Sequence, residues 1–185
     1  CFIFAITTDT FLTERNLINL AEQSAEPALL ACGMTVVIIA GEFDLSVGAI
    51  LGFTAVAAAF AANETGPGLA VLLAVVVGGG LGVINGAIVS RLRIQSFLAT
   101  LATQFVILGV AFYMTDGTTS FRLNDFLGFS NFATRKFLNI EYKAWIALAA
   151  FGLIWALLRP TAHGKQVSAV GGNPAAPRGR LRASR

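Results

Sequence analysis

Two carboxylates, Glu42 and Asp44, stand in a short polar segment between two strongly apolar stretches. This segment, Gly41 to Gly48, reads Gly-Glu-Phe-Asp-Leu-Ser-Val-Gly. Ionisable side chains are costly near hydrocarbon and usually face a cavity, a partner or a transport pathway. The two acids therefore have three candidate roles: capping a helix, contacting a polar substrate, or carrying a proton or cation.

Helix capping is the simplest of these roles. Asp and Ser are favoured N-cap residues, and a carboxylate is stabilised at the positive end of a helix dipole. Asp44 and Ser46 stand at the start of an apolar stretch without charge, so Asp44 is expected to cap a helix that begins at Leu45. The candidate site for a substrate pathway or helix break comprises Gly41, Glu42, Asp44, Leu45, Ser46 and Gly48.

The elements around this segment must be membrane helices. Hydrophobic residues make up 56% of the 185-residue chain and charged residues 12%, whereas soluble domains carry about 25% charged residues. About 20 apolar residues cross a bilayer as a helix. Five stretches are candidate spans after an N-terminal stub at 1–6: 27–40, 45–62, 69–90, 97–114 and 144–158. The sequence thus predicts an all-α polytopic transmembrane bundle with about five to six spans.

The stretch from Pro27 to Ala40 is short for a span, since its residues reach about 21 Å of a roughly 30 Å hydrocarbon core. It could extend upstream through 21–26, or the polar segment could break one discontinuous helix. Non-helical backbone is tolerated at membrane depth only where protein or water covers it. A break or a tight hairpin at the polar segment is the favoured interpretation.

Loop charges predict the orientation, because Lys and Arg are retained on the cytoplasmic side. The loop 91–96 and the tail after Leu158 contain basic residues and no acid. Alternation then places the loops 63–68 and 115–143 outside, together with residues 7–27. The polar segment falls inside or at membrane depth.

Three glycines at a spacing of four, Gly78, Gly82 and Gly86, form one smooth stripe on a helix. Such a stripe lets another helix backbone approach closely. Asn85 lies beside it, where an interhelical hydrogen bond is a better interpretation than contact with a substrate. These four residues are the candidate helix-packing site.

The residues needed for several other functions are missing from the sequence. The single histidine, His163, cannot build a local zinc site, and no phosphate-binding Gly-x-x-x-x-Gly-Lys-[Ser/Thr] motif occurs. We therefore expect no metal, no cofactor and no catalytic activity in this chain. Retention of basic loops inside explains the arginine-rich end more simply than binding of nucleic acid.

Three linked blocks carry a resemblance to a known family: Gly41 to Gly48, residues 85–101 and residues 163–176. In order and spacing they resemble the permease subunits of bacterial ATP-binding-cassette importers for monosaccharides, the ribose, xylose and galactose group. The resemblance covers roughly residues 10–176. It implies a multi-pass protein of the bacterial inner membrane.

The resemblance also implies partners: two cytoplasmic ATPases, a periplasmic sugar-binding protein, a second permease copy and the lipid bilayer that surrounds the permeases. It implies a transmembrane region at 1–158 and a cytoplasmic connector at 159–176. Within the connector, Gly164, Gly171, Gly172 and Asn173 are the expected ATPase-coupling residues. Family members have about ten spans, so we expect this chain to correspond to their N-terminal half. The basic end at 177–185 is then expected to be non-native or the end of a truncated copy.

Two rival functions remain at this point. An ion- or proton-coupled carrier would use Glu42 or Asp44 as its coupling carboxylate. A polytopic membrane enzyme is disfavoured, because no cluster of His, Cys or carboxylate residues stands within the apolar stretches.

Overall fold

The computed structural model describes residues 2–118, 135–159 and 161–172. Most of them are helical, with one small hairpin of two antiparallel strands. The helices are α1 (Phe2–Thr7), α2 (Glu14–Ile39), α3 (Val47–Thr65), α4 (Pro67–Leu92), α5 (Ser96–Met114), α6 (Tyr142–Leu158) and α7 (Ala162–Gly172). The strands are β1 (Lys136–Phe137) and β2 (Ile140–Glu141).

Three helices in the described part of the chain, α3, α4 and α5, are long and apolar enough to cross a membrane. Helix α6 is apolar but shorter, and α2 carries several charged residues in its first half. The all-α membrane architecture is therefore confirmed at this level. The count of five to six spans stays a prediction, because it needs α2 and α6 as spans.

Helix α2 resolves the alternatives that the sequence left open around Pro27. The helix does extend upstream, to Glu14, and Pro27 lies inside it. It also ends at Ile39, so the polar segment is non-helical up to Ser46. Both interpretations hold together: a longer helix is followed by a break.

The loop expected at 63–68 is reduced to one residue. Helix α3 continues to Thr65 and α4 begins at Pro67, so Gly66 alone reverses the chain with φ of 84°. Glycine adopts positive φ without a steric penalty, and proline is favoured in the first helical turn because its missing N–H needs no partner there. The Gly66-Pro67 pair therefore makes a tighter turn than the polar residues around it indicated.

The chain divides into two compact units. The second unit, residues 42–130, contains α3, α4 and α5, with α3 packed against both other helices. Small side chains fill the close contacts of α3, among them Ala49, Ala58, Ala59 and Ala62, all buried. Many large apolar side chains of α4 and α5 are exposed in this chain, which suits helices that face lipid or other membrane helices.

The first unit, residues 1–41 and 131–185, is built on the packing of α2 against α6. The hairpin contacts the first half of α2 through Glu22, and it leads directly into α6. Helix α7, which follows α6, packs against the end of α2. The two long helices of this unit therefore run parallel.

Candidate functional site

The polar segment, Gly41 to Gly48, begins with a backbone conformation that suits glycine. Gly41 has φ of 80°, in the left-handed region that side chains with a Cβ disfavour. Two residues further on, the extended backbone turns its N–H groups toward α5. The N–H of Phe43 donates to Ser96 Oγ at 3.1 Å, and the N–H of Leu45 donates to Thr100 Oγ1 at 3.1 Å.

The hydroxyls of Ser96 and Thr100 thus replace the helical partners that this backbone lacks. Both side chains are buried, and residues four apart on a helix share one face. Thr100 Oγ1 also donates to the Ser96 carbonyl at 2.8 Å. The hydroxyl groups at the start of α5 therefore bind the backbone of the non-helical segment.

Asp44 and Ser46 form a compact turn at the entrance of α3. Asp44 Oδ1 accepts the Ser46 N–H at 2.8 Å and the Ser46 hydroxyl at 2.6 Å. An Asp oxygen that bonds the backbone two residues on is an Asx turn. The carboxylate thereby uses one oxygen twice, within its own segment.

This turn corrects the capping prediction. Helix α3 begins at Val47, not Leu45, and its N-cap residue is Ser46, whose side chain makes no capping bond. The first bond of the helix runs from the Ile50 N–H to the Ser46 carbonyl at 2.8 Å, which makes Ser46 the N-cap residue. Asp44 therefore orders the turn that precedes the helix instead of capping the helix itself.

Asn85 of α4 completes this polar network. Its side-chain amide donates to Ser46 Oγ at 2.6 Å. Asn85 is 5% exposed and Ser46 is fully buried. The interhelical hydrogen bond expected of Asn85 is present, and its partner is in the polar segment.

The structure thus brings Asp44, Ser46 and Asn85 together and adds Ser96 and Thr100, which the sequence analysis missed. Their signal was a pair of hydroxyl residues four apart at the start of an apolar helix. Glu42 and Gly48 are both exposed, and Leu45 joins the network through its backbone alone. The network can therefore hold backbone N–H groups and the Ser46 hydroxyl of the polar segment in fixed positions.

The glycine stripe is covered at one position only. A Cβ added at Gly78 would lie 3.3 Å from Thr54 Cγ2 of α3, whereas Gly82 and Gly86 would meet nothing within 4 Å among the described residues. Gly78 therefore serves the contact of α3 with α4. Close packing of another helix along the whole stripe stays a prediction.

The connector residues lie on α7, apart from Asn173, which is outside the described residues. A Cβ at Gly164 would overlap the carbonyl oxygen of Leu158, and one at Gly171 would overlap that of Ile39. Gly172 would meet nothing within 4 Å. Gly164 and Gly171 therefore let α7 pack closely against other segments of the same chain, a role the sequence did not indicate.

A second polar cluster, the ionic cluster, holds the hairpin and consists of Glu22, Lys136, Glu141 and Lys143. Glu22 Oε1 lies 3.1 Å from Lys136 Nζ and accepts the N–H of Glu141 at 3.1 Å. Lys143 Nζ lies 2.8 Å from Glu141 Oε2. The sequence analysis did not single out Glu22, a residue on the polar first half of α2, before Pro27.

Opposing effects act on the pKa of the Glu22 carboxyl. Burial raises the pKa, but hydrogen bonds from Lys136 and from the Glu141 backbone lower it, as do the charges of Lys136 and Lys143. The lowering effects prevail, so the pKa of Glu22 lies below its ordinary value. Glu22 is therefore ionised in the folded chain at neutral pH.

The described residues include no group of three His, Cys, Asp or Glu side chains able to hold a metal ion. The polar groups of the site are instead hydroxyls, one amide and one carboxylate around non-helical backbone. This inventory suits a structural or conducting element of a membrane protein.

Comparison with known proteins gives this element its context. Residues 16–180 match the family described as branched-chain amino acid transport system / permease component. The chain belongs to this family of permeases. No solved structure matches it significantly.

The relatives of this permease include several sugar permeases. This chain is 39% identical over 172 residues to the ribose import permease protein RbsC of Bacillus subtilis. The aligned residues cover 92% of this chain and 53% of the relative. The chain is 35% identical over 170 residues to the L-arabinose ABC transporter permease protein AraH of Azospirillum brasilense, covering 91% and 50%. The galactose/methyl galactoside import permease protein MglC of Escherichia coli K12 is 32% identical over 185 residues, covering 90% and 55%.

These matches confirm the resemblance stated from the three sequence blocks. The permease is a membrane protein of the ATP-binding-cassette importer family, located in the inner membrane. It spans about half the length of the relatives it matches.

Proposed function

We propose that this chain is part of the permease of an ATP-binding-cassette importer that moves a monosaccharide into the cytoplasm. The observation that carries the proposal is the agreement among its relatives, which are named for ribose, arabinose and galactose. The family description names branched-chain amino acids, but relatives at 32–39% identity along nearly the whole chain are sugar permeases. A pentose or hexose is therefore the proposed substrate class.

The proposed membrane arrangement has α2, α3, α4, α5 and α6 as spans. Helix α2 reaches about 39 Å over its 26 residues, so its apolar second half enters the hydrocarbon core while its polar first half, with Glu22, lies outside it. Helix α6 has 17 residues and reaches about 25 Å, so flanking residues or local thinning must make up the difference. Glu22 in the first half of α2 contacts the hairpin, which supports placing both on the outside of the membrane. Helix α7 contacts the end of α2, which supports placing both on the inside.

The polar segment has a structural role in this proposal. It breaks the helical chain between α2 and α3. Ser96 and Thr100 accept two of its backbone N–H groups, and Asn85 donates to its Ser46 hydroxyl. Irregular backbone at membrane depth marks the places where transporters bind or pass substrate. Glu42 is the exposed charged side chain of the segment and is proposed to face such a path.

The rival proton- or ion-coupled carrier fits less well. A coupling carboxylate must release and rebind its ion, whereas Asp44 accepts two hydrogen bonds from Ser46 in a tight turn. The relatives, moreover, are import permeases named for ABC transport or sugar import. ATP hydrolysis in a separate cytoplasmic subunit, delivery by a periplasmic sugar-binding protein and pairing with a second permease are the corresponding proposals for partners.

A chimera tests the proposal. The ribose import permease of Escherichia coli K12 is 36% identical over 180 residues, which form 56% of that protein. Replacing those residues by this chain, in a strain that lacks its own ribose permease, should restore ribose uptake at the expense of ATP. Uptake should persist when a protonophore collapses the proton gradient.

Three controls accompany the chimera: the unaltered ribose permease, the 185-residue chain alone and a chimera with Asn85→Leu. Immunoblotting of membranes verifies insertion of each protein. Uptake that collapses with the proton gradient while cellular ATP is maintained would favour the carrier. A well-inserted chimera that transports no ribose, arabinose or galactose would contradict the proposed substrate class.

A further inference from the structure

Helix α7 packs against two neighbouring helices through a glycine near each of its ends. Gly164 and Gly171 are seven residues apart, about two helical turns, so they lie on one face of the helix. The first packs on the carbonyl of Leu158 at the end of α6, and the second on the carbonyl of Ile39 at the end of α2. The Thr161 hydroxyl accepts the Gly164 N–H at 3.1 Å and donates to the Leu157 carbonyl, which fixes the corner between α6 and α7.

The partner of Gly171 is the first residue of the polar segment. A Cβ added at Gly41 would lie 3.3 Å from Gly171 Cα and 3.5 Å from its carbonyl oxygen. Gly41 also holds its left-handed φ of 80° at this point. The two glycines therefore meet backbone to backbone, and Glu42 and Asp44 follow Gly41 directly in the chain.

We propose that Gly41 and Gly171 form a joint through which a displacement of α7 is passed to the backbone of the polar segment. The inference rests on the proposed function, in which an ATPase moves the connector. It assigns Gly41 and Gly171 as positioning residues, which control the segment and do not touch substrate themselves.

The nature of the contact supports this role. Side chains can adjust their rotamers when a neighbour moves, but two backbones in contact have no such freedom, and close-packed groups transmit displacement. A shift of α7 toward α2 must therefore move the Ile39 carbonyl and the Gly41 peptide. The opposite side of α7 stays exposed at Lys165, Gln166, Ala169 and Val170, which leaves a surface for the moving partner.

The test compares Gly171→Ala with its neighbour Gly172→Ala. Alanine is the better helix former at both positions. An effect on amide exchange or transport coupling that is confined to Gly171→Ala is therefore caused by the lost contact and not by a change in helix stability. A methyl at position 171 collides with the Ile39 carbonyl, whereas one at 172 enters open space. The pair differs in little else.

The first measurement is hydrogen–deuterium exchange of the full 185-residue chain in lipid nanodiscs. Gly171→Ala should accelerate exchange of the amides of Phe43, Leu45 and Ser46 by about tenfold, a shift within the usual range of coupling between sites. Gly172→Ala should leave them unchanged. Equal exchange in both variants would show that α7 does not hold the segment, and the joint would be wrong.

The second measurement uses the chimeric permease in liposomes with the ribose importer's ATPase and binding protein. Gly171→Ala should raise the ATP hydrolysed per ribose transported by about fivefold or more, with unchanged ribose affinity of the binding protein. Gly172→Ala should keep the normal ratio. If exchange changes but this ratio does not, the contact is purely structural and the proposed role is refuted.

The two measurements distinguish failure of the proposed joint from failure of the proposed transport function. A chimera without substitutions that shows no sugar-stimulated ATP hydrolysis would overturn the function and, with it, the coupling role. The exchange measurement still decides in that case whether Gly171 positions the segment.

Discussion

The polar segment at 41–48 is held by hydroxyl and amide groups around one carboxylate, whereas the hairpin at 136–141 is held by the ionic cluster. In the first region, Ser96, Thr100 and Asn85 supply the partners, and these three side chains are buried. In the second, Lys136 stays half exposed beside the buried Glu22. Each region fixes non-helical backbone next to a long helix, but the chemistry differs.

The difference follows the cost of charge at each depth. Asn85 lies seven residues before the end of α4, about 10 Å along the helix, so in the proposed membrane arrangement its network lies below the membrane surface. Taking a charge pair out of water is expensive there, whereas neutral donors and acceptors satisfy backbone at lower cost. Near water an ion pair is inexpensive but contributes little, typically about 0–1 kcal/mol.

The largest effect is expected from Asn85→Leu, which breaks the polar network around Ser46. The substitution removes the donor to Ser46 Oγ and leaves the buried hydroxyl without that partner. The free energy of unfolding should fall by about 2 kcal/mol. Titration of purified protein with dodecyl sulfate in mixed micelles measures the change.

Ser90→Leu is the matched control for Asn85→Leu. It makes a polar-to-leucine change on the same helix at an exposed position, and it should change stability by less than about 0.5 kcal/mol. Equal stability of the two variants would mean that the buried amide contributes nothing.

This network also shows how far the sequence determines the site. The polar segment, the helix break and the interhelical bond of Asn85 could be predicted, because polar residues between apolar stretches have few alternatives in a membrane. The partners of the segment's backbone could not, because Ser96 and Thr100 lie more than fifty positions away in the sequence. Local capping preference predicted a helix start at Leu45, and α3 begins two residues later, at Val47.

The same limit applies to the glycines. Spacing alone favoured Gly78, Gly82 and Gly86 as one packing stripe, yet only Gly78 is covered by the described residues. Gly171 is expected from the resemblance to take part in ATPase coupling, and within this chain its nearest contact is Ile39 of α2. A glycine pattern indicates that close approach is possible, whereas the fold decides which backbone makes the approach.

An intermediate effect is expected at Asp44, where acceptor and charge can be separated. Asp44→Asn keeps a side-chain oxygen for the two bonds from Ser46, whereas Asp44→Leu removes the acceptor. Asp44→Leu should lower the free energy of unfolding by about 1 kcal/mol relative to Asp44→Asn. The same dodecyl sulfate titration compares them.

Uptake by the chimera with either Asp44 variant then sharpens the functional assignment. Asp44→Asn should retain most ribose uptake, because the turn survives without the charge. Loss of uptake in a stable Asp44→Asn protein would instead assign the negative charge itself a role in transport, as the rival carrier requires.

The smallest effect is expected in the ionic cluster, where acid should release the hairpin. The pKa of Glu22 is lower in the folded chain than its ordinary value of 4.5, so folding favours the ionised form. The stabilisation is complete above pH 4.5 and is lost as the pH falls through the lowered pKa. Fluorescence of Trp145 reports the release, because its indole N–H donates to the Phe137 carbonyl at 3.2 Å.

Trp155→Phe provides the background for this titration, since it leaves Trp145 as the sole tryptophan. In that background Glu22→Gln should abolish the acid transition while keeping an oxygen for the Glu141 N–H, and Glu26→Gln, at an exposed position of the same helix, should retain it. High salt should reduce the amplitude, because ions screen the partly exposed pair. A transition that survives in Glu22→Gln would mean that another carboxylate controls the hairpin, and the contrast between the two polar regions would no longer rest on Glu22.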